Sequence, residues 1–282
     1  MLNKSIAILK KYFLNKPDIS AAFLFGSQAK TYAGKISDWD IAVYFWPKED
    51  KSEIEWEEAG KAYPGENKIW DDLVDILKTD NVDLVVLNRA PANIAASAIS
   101  EGRALVIKDR KAFLDFMLVT MRQAEDYSDF VDTYYKISQR SSSLGQRDRE
   151  KLKKIIDFLS HEVSSQEYFS KFDFNGYQDA HKRRDIERWV ENMINSAIDI
   201  GEVILASEKK KIPDYYKDVF VQLGLLPQFR QMDVAKFTGW VKLRNILAHE
   251  YLDLKWQKIS SFAQECKTHF AVFLEAAKEF LK

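Results

Sequence analysis

Two aspartates that follow a Gly-Ser pair have the types and spacing of a site for metal-assisted phosphate chemistry. Gly26 and Ser27 end an apolar run, and after ten further residues Asp38 and Asp40 open the next one. Residues two apart in a strand point to the same face, so we expect these carboxylates side by side. They repel each other unless a divalent cation joins them, and Mg²⁺ accepts one or two carboxylates together with phosphate oxygens.

The neighbouring residues suit the phosphate. Gly26 allows the backbone to approach it closely, and Ser27 is placed to cap a following helix whose N–H groups favour an anion. Lys30 comes one turn later and could reach a phosphate. Asp83, early in another β-rich run, is the candidate third metal ligand. Taken singly, an Asp-x-Asp or a Gly-Ser is usually a turn, but the combination favours catalysis.

This segment resembles the GS-x10-D-x-D signature of the nucleotidyltransferase superfamily in its minimal (MNT) form. Four positions match the signature: Gly26, Ser27, Asp38 and Asp40. Asp83 matches the family's third carboxylate by its surroundings, whereas Thr31 stands where minimal members often have glycine. The resemblance implies a mixed sheet, the use of Mg²⁺ and ATP, and transfer of a nucleoside monophosphate to an acceptor.

A second group of reactive residues lies near the C-terminus. Arg244 precedes His249 and Tyr251 in the string RNILAHEY. An arginine can hold a phosphodiester, and a histidine can act as general base or acid, so the pair could cleave RNA without a metal. By spacing alone, a salt-bridged or solvated pair is the simpler interpretation, and Tyr251 would be a packed aromatic.

The longer string resembles the R-x4-H-x-Y motif of HEPN domains of the HepT family. The resemblance covers residues from about 147 to the C-terminus. It implies an all-α bundle, a dimer and, in active members, a metal-independent endoribonuclease. At about 100° per residue, Arg244 and His249 lie about 140° apart on one helix. Either the helix ends near His249 or two copies form the site, and we expect a homodimer.

The elements predict an α+β domain with a mixed sheet, at 1–140, followed by an all-α domain at 146–282. Predicted strands lie at 21–25, 40–45, 82–87 and 104–107. Predicted helices lie at 1–16, 52–62, 68–78, 91–100, 111–139, 147–167, 181–207, 215–223, 234–249 and 255–282. The Ser/Gly-rich stretch 140–146 marks the boundary.

Charge and composition exclude several classes of protein. The net charge is −1, with 19 basic and 22 acidic residues up to position 145 and 23 and 21 beyond it. Neither half is basic enough for strong non-specific nucleic-acid binding, so RNA chemistry needs a local site. A single cysteine, Cys266, excludes an internal disulfide. No apolar run reaches the ~20 residues of a membrane span, and we expect a cytoplasmic protein.

Three functions remain open. By resemblance to MntA–HepT toxin–antitoxin systems, the first domain would adenylylate Tyr251, in its own chain or in another HEPN chain, and AMP beside Arg244 would silence the ribonuclease. In the alternative, as in antibiotic-modifying nucleotidyltransferases, a helical domain without catalytic activity would hold a small-molecule acceptor. In the third, the helical domain would be a catalytically inactive module for nucleotide binding or dimerisation.

Overall fold

The computed structural model describes residues 2–29, 38–47, 55–58, 60–140, 144–249 and 255–282. The chain divides into two compact units, Met1–Asp129 and Phe130–Lys282. The first unit contains a four-stranded sheet with helices on both faces, and the described part of the second is helical. The predicted fold class is therefore confirmed.

One mixed sheet forms the centre of the first unit. Its strands are β1 (Ile19–Phe25), β2 (Trp39–Phe45), β3 (Val82–Val86) and β4 (Arg103–Ile107). They lie in the order β3-β2-β1-β4, with β1 antiparallel to β2 and β4, and with β2 parallel to β3. Parallel neighbours require a crossover connection, and a helix between them supplies it.

Helices cover both faces of the sheet because successive strand residues point to opposite sides. The helices are α1 (Leu2–Leu14), α2 (Gly26–Ala29), α3 (Glu66–Leu77), α4 (Ala92–Ser100) and α5 (Arg110–Ser138). On one face, Leu24 and Ile41 form a core with residues of α1 and α3. On the other face, Phe23, Ala42 and Tyr44 pack against α4 and α5.

The second unit is organised around one long, deeply buried helix. Its helices are α6 (Gln146–Ser164), α7 (Gln166–Phe169), α8 (Phe174–Gln178), α9 (Ala180–Ser207), α10 (Tyr216–Leu223), α11 (Val234–His249) and α12 (Lys255–Lys278). The α9 helix contacts α6, α8, α10, α11 and α12. Asp179 caps its N-terminus by accepting from the backbone N–H groups of His181 and Lys182. Among the described residues, no helix combines the length and apolar character that a membrane crossing requires.

All four predicted strands are confirmed within about two residues, and most of the helices agree as closely. The helix predicted at 52–62 is wrong where the structure describes it. Residues 55–58 are irregular, and Glu57 has a positive φ of 50°. The backbone N–H of Glu55 donates to the Tyr44 hydroxyl at 3.1 Å, and that of Glu58 donates to the Asn88 carbonyl at 3.0 Å. Tertiary acceptors therefore replace the helical ones.

Candidate functional site

Two of the predicted catalytic carboxylates face each other across the parallel strands. Trp39 pairs with Val82, and Asp40 pairs with Asp83 in the same register. Residues opposite each other in adjacent strands share a face, and neighbouring strands lie about 5 Å apart. Both aspartates are therefore on the face of the sheet that α4 and α5 cover. Asp38, two residues before Asp40, is exposed just before β2 begins.

Gly26 lies directly after β1 and next to Asp40. Phe25, the last residue of β1, is opposite Asp40, so the chain turns directly beside the carboxylate. Gly26 has a φ of +66°, and a Cβ atom there would come within 1.9 Å of Oδ2 of Asp40. Only glycine fits both the conformation and the space. The structure thus joins Gly26, Asp40 and Asp83 in one place.

Asp40 is affected both by burial and by the neighbouring carboxylates. Partial burial raises the pKa of Asp40, and the negative charges of Asp83 and Asp38 raise it further. A cation beside these groups would remove the repulsion. Within the described ranges, no group of three or more histidine, cysteine, aspartate or glutamate side chains is placed to hold a metal ion. A cation would need phosphate oxygens as additional ligands, which is common for Mg²⁺.

The other predicted residues of this site stay predictions. Ser27 is exposed in the four-residue helix α2, directly after Gly26. Its capping role depends on the next residues, and Lys30 and Thr31 lie outside the described residues.

In the second unit, Arg244 of α11 is fixed by contacts that the sequence did not predict. Its Nε donates to Oδ1 of Asn195 on α9 at 2.9 Å, and its guanidinium carbon lies 5.5 Å from the centre of the Tyr216 ring. A weaker contact joins Nη1 to Oδ1 of the adjacent Asn245 at 3.4 Å. A half-buried guanidinium held by an amide and a ring has a defined orientation, which suits recognition of a phosphate.

Two acidic residues of α9 lie on the same face of the helix as Asn195. Asp199 and Glu202 follow at intervals of four and three residues, so all three share one face of the helix. Asp199 is exposed at the surface; the surrounding protein still raises its pKa by desolvation, and the positive charges of Lys151 and Arg244 oppose this. The clue in the sequence was the helical spacing of polar residues inside the apolar string NSAIDIGEVIL, which the sequence analysis did not use.

Glu202 is a buried carboxyl group with incomplete pairing. Its Oε2 lies 3.6 Å from Nζ of Lys151 on α6, and within the described part of the chain its Oε1 has no hydrogen-bond partner. Burial raises the pKa of Glu202 to about 7, with a contribution from Asp199, against the opposing effect of Lys151.

We expect the wild type to become less stable as pH rises, because the folded state holds the Glu202 proton that the unfolded state releases. Glu202→Gln has no such proton to lose, so this decrease in stability should disappear. The folded state holds the proton up to about pH 7, whereas an unfolded glutamate releases it near 4.5. Between these values the unfolded state binds fewer protons, so the free energy of unfolding falls with pH. The stability of the variant relative to the wild type should therefore increase by about 3 kcal/mol from pH 4.5 to 8.

Urea unfolding at a series of pH values measures this difference. Glu150→Gln, at an exposed position of α6, is the matched control. A difference between Glu202→Gln and wild type that does not change with pH would contradict the assignment.

The predicted partners of Arg244 are only partly described. The α11 helix extends from Val234 to His249, so its backbone includes both Arg244 and His249. Tyr251 lies outside the described residues. Whether one copy or two would bring Arg244 and His249 to one phosphate therefore stays a prediction.

Family comparisons match the two units separately. Residues 8–111 match the model described as polymerase beta, nucleotidyltransferase. Residues 149–277 match the model described as ribonuclease HepT-like. A search of curated proteins finds no match. The first unit therefore matches a nucleotidyltransferase family and the second a HepT-like family.

Two solved structures are similar to part of the chain. One is a mutant of the MntA–HepT toxin–antitoxin complex, with 23% identity over 47% of this chain and 97% of that one, at a TM-score of 0.33. The other is the tri-AMPylated Shewanella oneidensis HEPN toxin in complex with MNT antitoxin, with 22% identity over 47% and 98% of the two chains and a TM-score of 0.32.

Proposed function

We propose that the first domain transfers AMP from ATP to Tyr251, in the same chain or in a second copy, and that this modification silences a ribonuclease site at Arg244 and His249. The observation that carries the proposal is the register of Asp40 with Asp83 directly beside Gly26. A second support is the presence of the HepT-like domain in the same chain.

The transfer itself requires one bond to form and one to break. The acceptor oxygen of the tyrosine attacks the α-phosphorus of ATP, the bond from this phosphorus to the bridging oxygen breaks, and pyrophosphate leaves. The phenol proton passes to a base or to water. Gly26 leaves the space that Asp40 occupies, and the strand pairing keeps Asp40 and Asp83 together on one face of the sheet.

Asp38, Asp40 and Asp83 are the residues that would hold Mg²⁺, and phosphate oxygens would have to complete the site because the three carboxylates alone are not placed to hold an ion. When bound, the ion supplies charge neutralisation and polarises the phosphate that is attacked. Burial and then the charges of Asp83 and Asp38 raise the pKa of Asp40, and this fits the role, because a carboxylate that is costly without a cation favours binding one. Ser27 and Lys30 would contact the phosphates of ATP.

The second domain would cleave RNA by attack of a 2′-hydroxyl on its neighbouring phosphate. The fixed guanidinium of Arg244 would bind the phosphate and stabilise its developing negative charge, and His249 would transfer protons. AMP on Tyr251 would bring an anion into the region of Arg244 and compete with RNA for it. We further propose that the active form is a homodimer, because His249 and Arg244 point to different sides of an ideal helix.

Incubation with Mg²⁺ and ATP, followed by intact-mass measurement, tests the transferase. We expect the wild type to gain one or more AMP units and Asp40→Asn to gain none. Asp115→Asn, at an exposed position of α5, is the matched control and should behave as the wild type. No gain in initially unmodified wild-type protein would contradict self-modification and would favour a small-molecule acceptor.

A further inference from the structure

A run of exposed basic residues begins α9 although the second unit as a whole is nearly neutral. Lys182, Arg183 and Arg184 are consecutive and all exposed. Within the part of the chain that the structure describes, their side chains make no ion pair and no hydrogen bond. Charged side chains at a helix start are often merely solvated, so a binding function requires further evidence beside them.

Two exposed aromatic rings provide it, on elements that pack against α9 one to two turns after the basic run. Tyr168 and Phe174 are 59% and 45% exposed, respectively, which is unusual for large rings. Edge contacts at 5.0 and 5.1 Å hold Tyr168 against Phe169 and Phe172. Phe169 in turn stacks on Trp189 of α9 at 4.6 Å. The exposed ring of Tyr168 is thus fixed to the helix that carries the basic run.

The acidic residues nearby are mostly occupied. Between residues 166 and 188 there are five of them, and four have partners in the structure. Those four are Glu167 with Lys171, Asp173 with the N–H of Gly176, Asp179 with the N-terminus of α9, and Glu187 with the Tyr177 hydroxyl. The fifth, Asp185, is exposed next to Arg184, and the side chain of Lys182 acts on Asp179 only through its charge. The four partnered carboxylates therefore leave the three basic side chains without an ion pair among the described residues.

One residue of the basic run, Arg184, is also aligned with Arg244. Arg184 and Arg188 precede Asn195 by eleven and seven residues, so each lies within about 20° of Asn195 around the axis of α9, whereas the other two residues of the run lie about 120–140° away. At 1.5 Å per residue, Arg184 and Arg188 lie about 16 and 10 Å along the helix from Asn195. Asn195 is the residue that accepts the hydrogen bond of Arg244. One side of α9 therefore leads from Arg184 to Arg244.

We propose that Tyr168, Phe174, Lys182, Arg183 and Arg184 form a binding surface for single-stranded RNA, which delivers it to Arg244. The basic groups would bind successive phosphates and the rings would stack on unpaired bases, a combination typical of sequence-tolerant single-strand binding. The RNA-binding part of this proposal depends only on these five residues. The transfer of bound RNA to Arg244 rests on the proposed ribonuclease function. An acidic protein would use the charges but would not need exposed ring faces, so single-stranded RNA fits better.

Fluorescence anisotropy with a labelled 2′-O-methyl oligouridylate tests the proposal, because this RNA lacks the 2′-hydroxyl needed for cleavage. The full chain is used throughout. Lys182→Ala/Arg183→Ala/Arg184→Ala should weaken binding at least tenfold and lower the slope of log K against log salt by about 2. Tyr168→Ser/Phe174→Ser should weaken it about tenfold with the slope unchanged. Arg149→Ala/Lys153→Ala/Lys154→Ala removes the same charge from exposed positions of α6 and should have little effect.

Three results would contradict the proposed binding surface. They are no RNA binding by the wild type, an equal loss of affinity in the α9 and α6 variants, and binding of duplex RNA as tight as that of single-stranded RNA. AMP gain and RNA cleavage, measured on the same preparations, separate this proposal from the proposed function. Loss of binding with AMP transfer intact would support the surface, even if cleavage proved absent. Circular dichroism confirms that each variant keeps its helices.

Discussion

Gly26→Ala is expected to lower the rate of AMP transfer about a hundredfold or more. The new Cβ would lie 1.9 Å from Oδ2 and 2.7 Å from Cγ of Asp40, so either the turn or the carboxylate must move. The φ of +66° at this position adds strain for any residue with a side chain. Displacement of a catalytic group by about 1 Å commonly costs a factor of 10² in rate. Intact mass followed over time measures the rate.

The control for this variant is Gly65→Ala. Gly65 also has a positive φ, of 80°, but a Cβ there would meet nothing within 4 Å. Its backbone strain is similar, at about 1–2 kcal/mol, without any contact to the site. Equal rates for the two variants would show that the close approach to Asp40 has no role in transfer.

Arg244→Lys is expected to lower RNA cleavage by a factor of about 10² to 10³ in protein without AMP. Lysine keeps the positive charge but cannot reproduce a planar group that is oriented by Asn195 and by the Tyr216 ring. Loss of one oriented donor to a developing negative charge typically costs this much. Cleavage of a labelled single-stranded RNA with EDTA present measures the effect and also tests independence from metal.

Arg230→Lys, at an exposed position before α11, is the matched control for this change and should cleave at the wild-type rate. If Arg244→Lys cleaves RNA at the wild-type rate, Arg244 is a structural residue and not a catalytic one. The helical domain would then be better explained as a holder of small molecules or as a dimerisation module.

The first site shows how far local sequence patterns reach. The two-residue period of a strand predicted Asp38 beside Asp40 without knowledge of neighbouring strands; in the structure Asp38 precedes β2, and its charge contributes to the raised pKa of Asp40. The position of Asp83 depends on which strand lies beside β2 and on the register of that pair, and both are set by the packing of the whole sheet. Gly26 was predicted for contact with phosphate, and the structure adds the proximity of the Asp40 carboxylate as a reason.

The second site shows where such patterns fail. Arg244 was found through its motif, but its contacts come from Asn195 and Tyr216, which are 49 and 28 positions earlier in the chain. Contacts between helices depend on how the helices pack, which periodicity does not determine. The helix predicted at 52–62 fails for a related reason, since the Tyr44 hydroxyl and the Asn88 carbonyl bind backbone groups that a helix would use.

Two predictions about organisation remain to be tested. The domain boundary was placed at 140–146, after α5, whereas the compact units divide inside α5 between Asp129 and Phe130. We propose that 1–140 and 146–282 are the functional domains, with α5 belonging mainly to the first. The homodimer also stays a prediction.

Peptide mapping after incubation with Mg²⁺ and ATP tests the central claim most directly. The wild type, Tyr251→Phe and Asp38→Ala/Asp40→Ala are compared, each first shown by mass to be unmodified. We predict AMP on Tyr251 in the wild type and on no residue in the double aspartate variant. Tyr251→Phe should lack AMP at position 251. Wild-type protein that carries AMP elsewhere but not on Tyr251, or that carries none, would contradict the account.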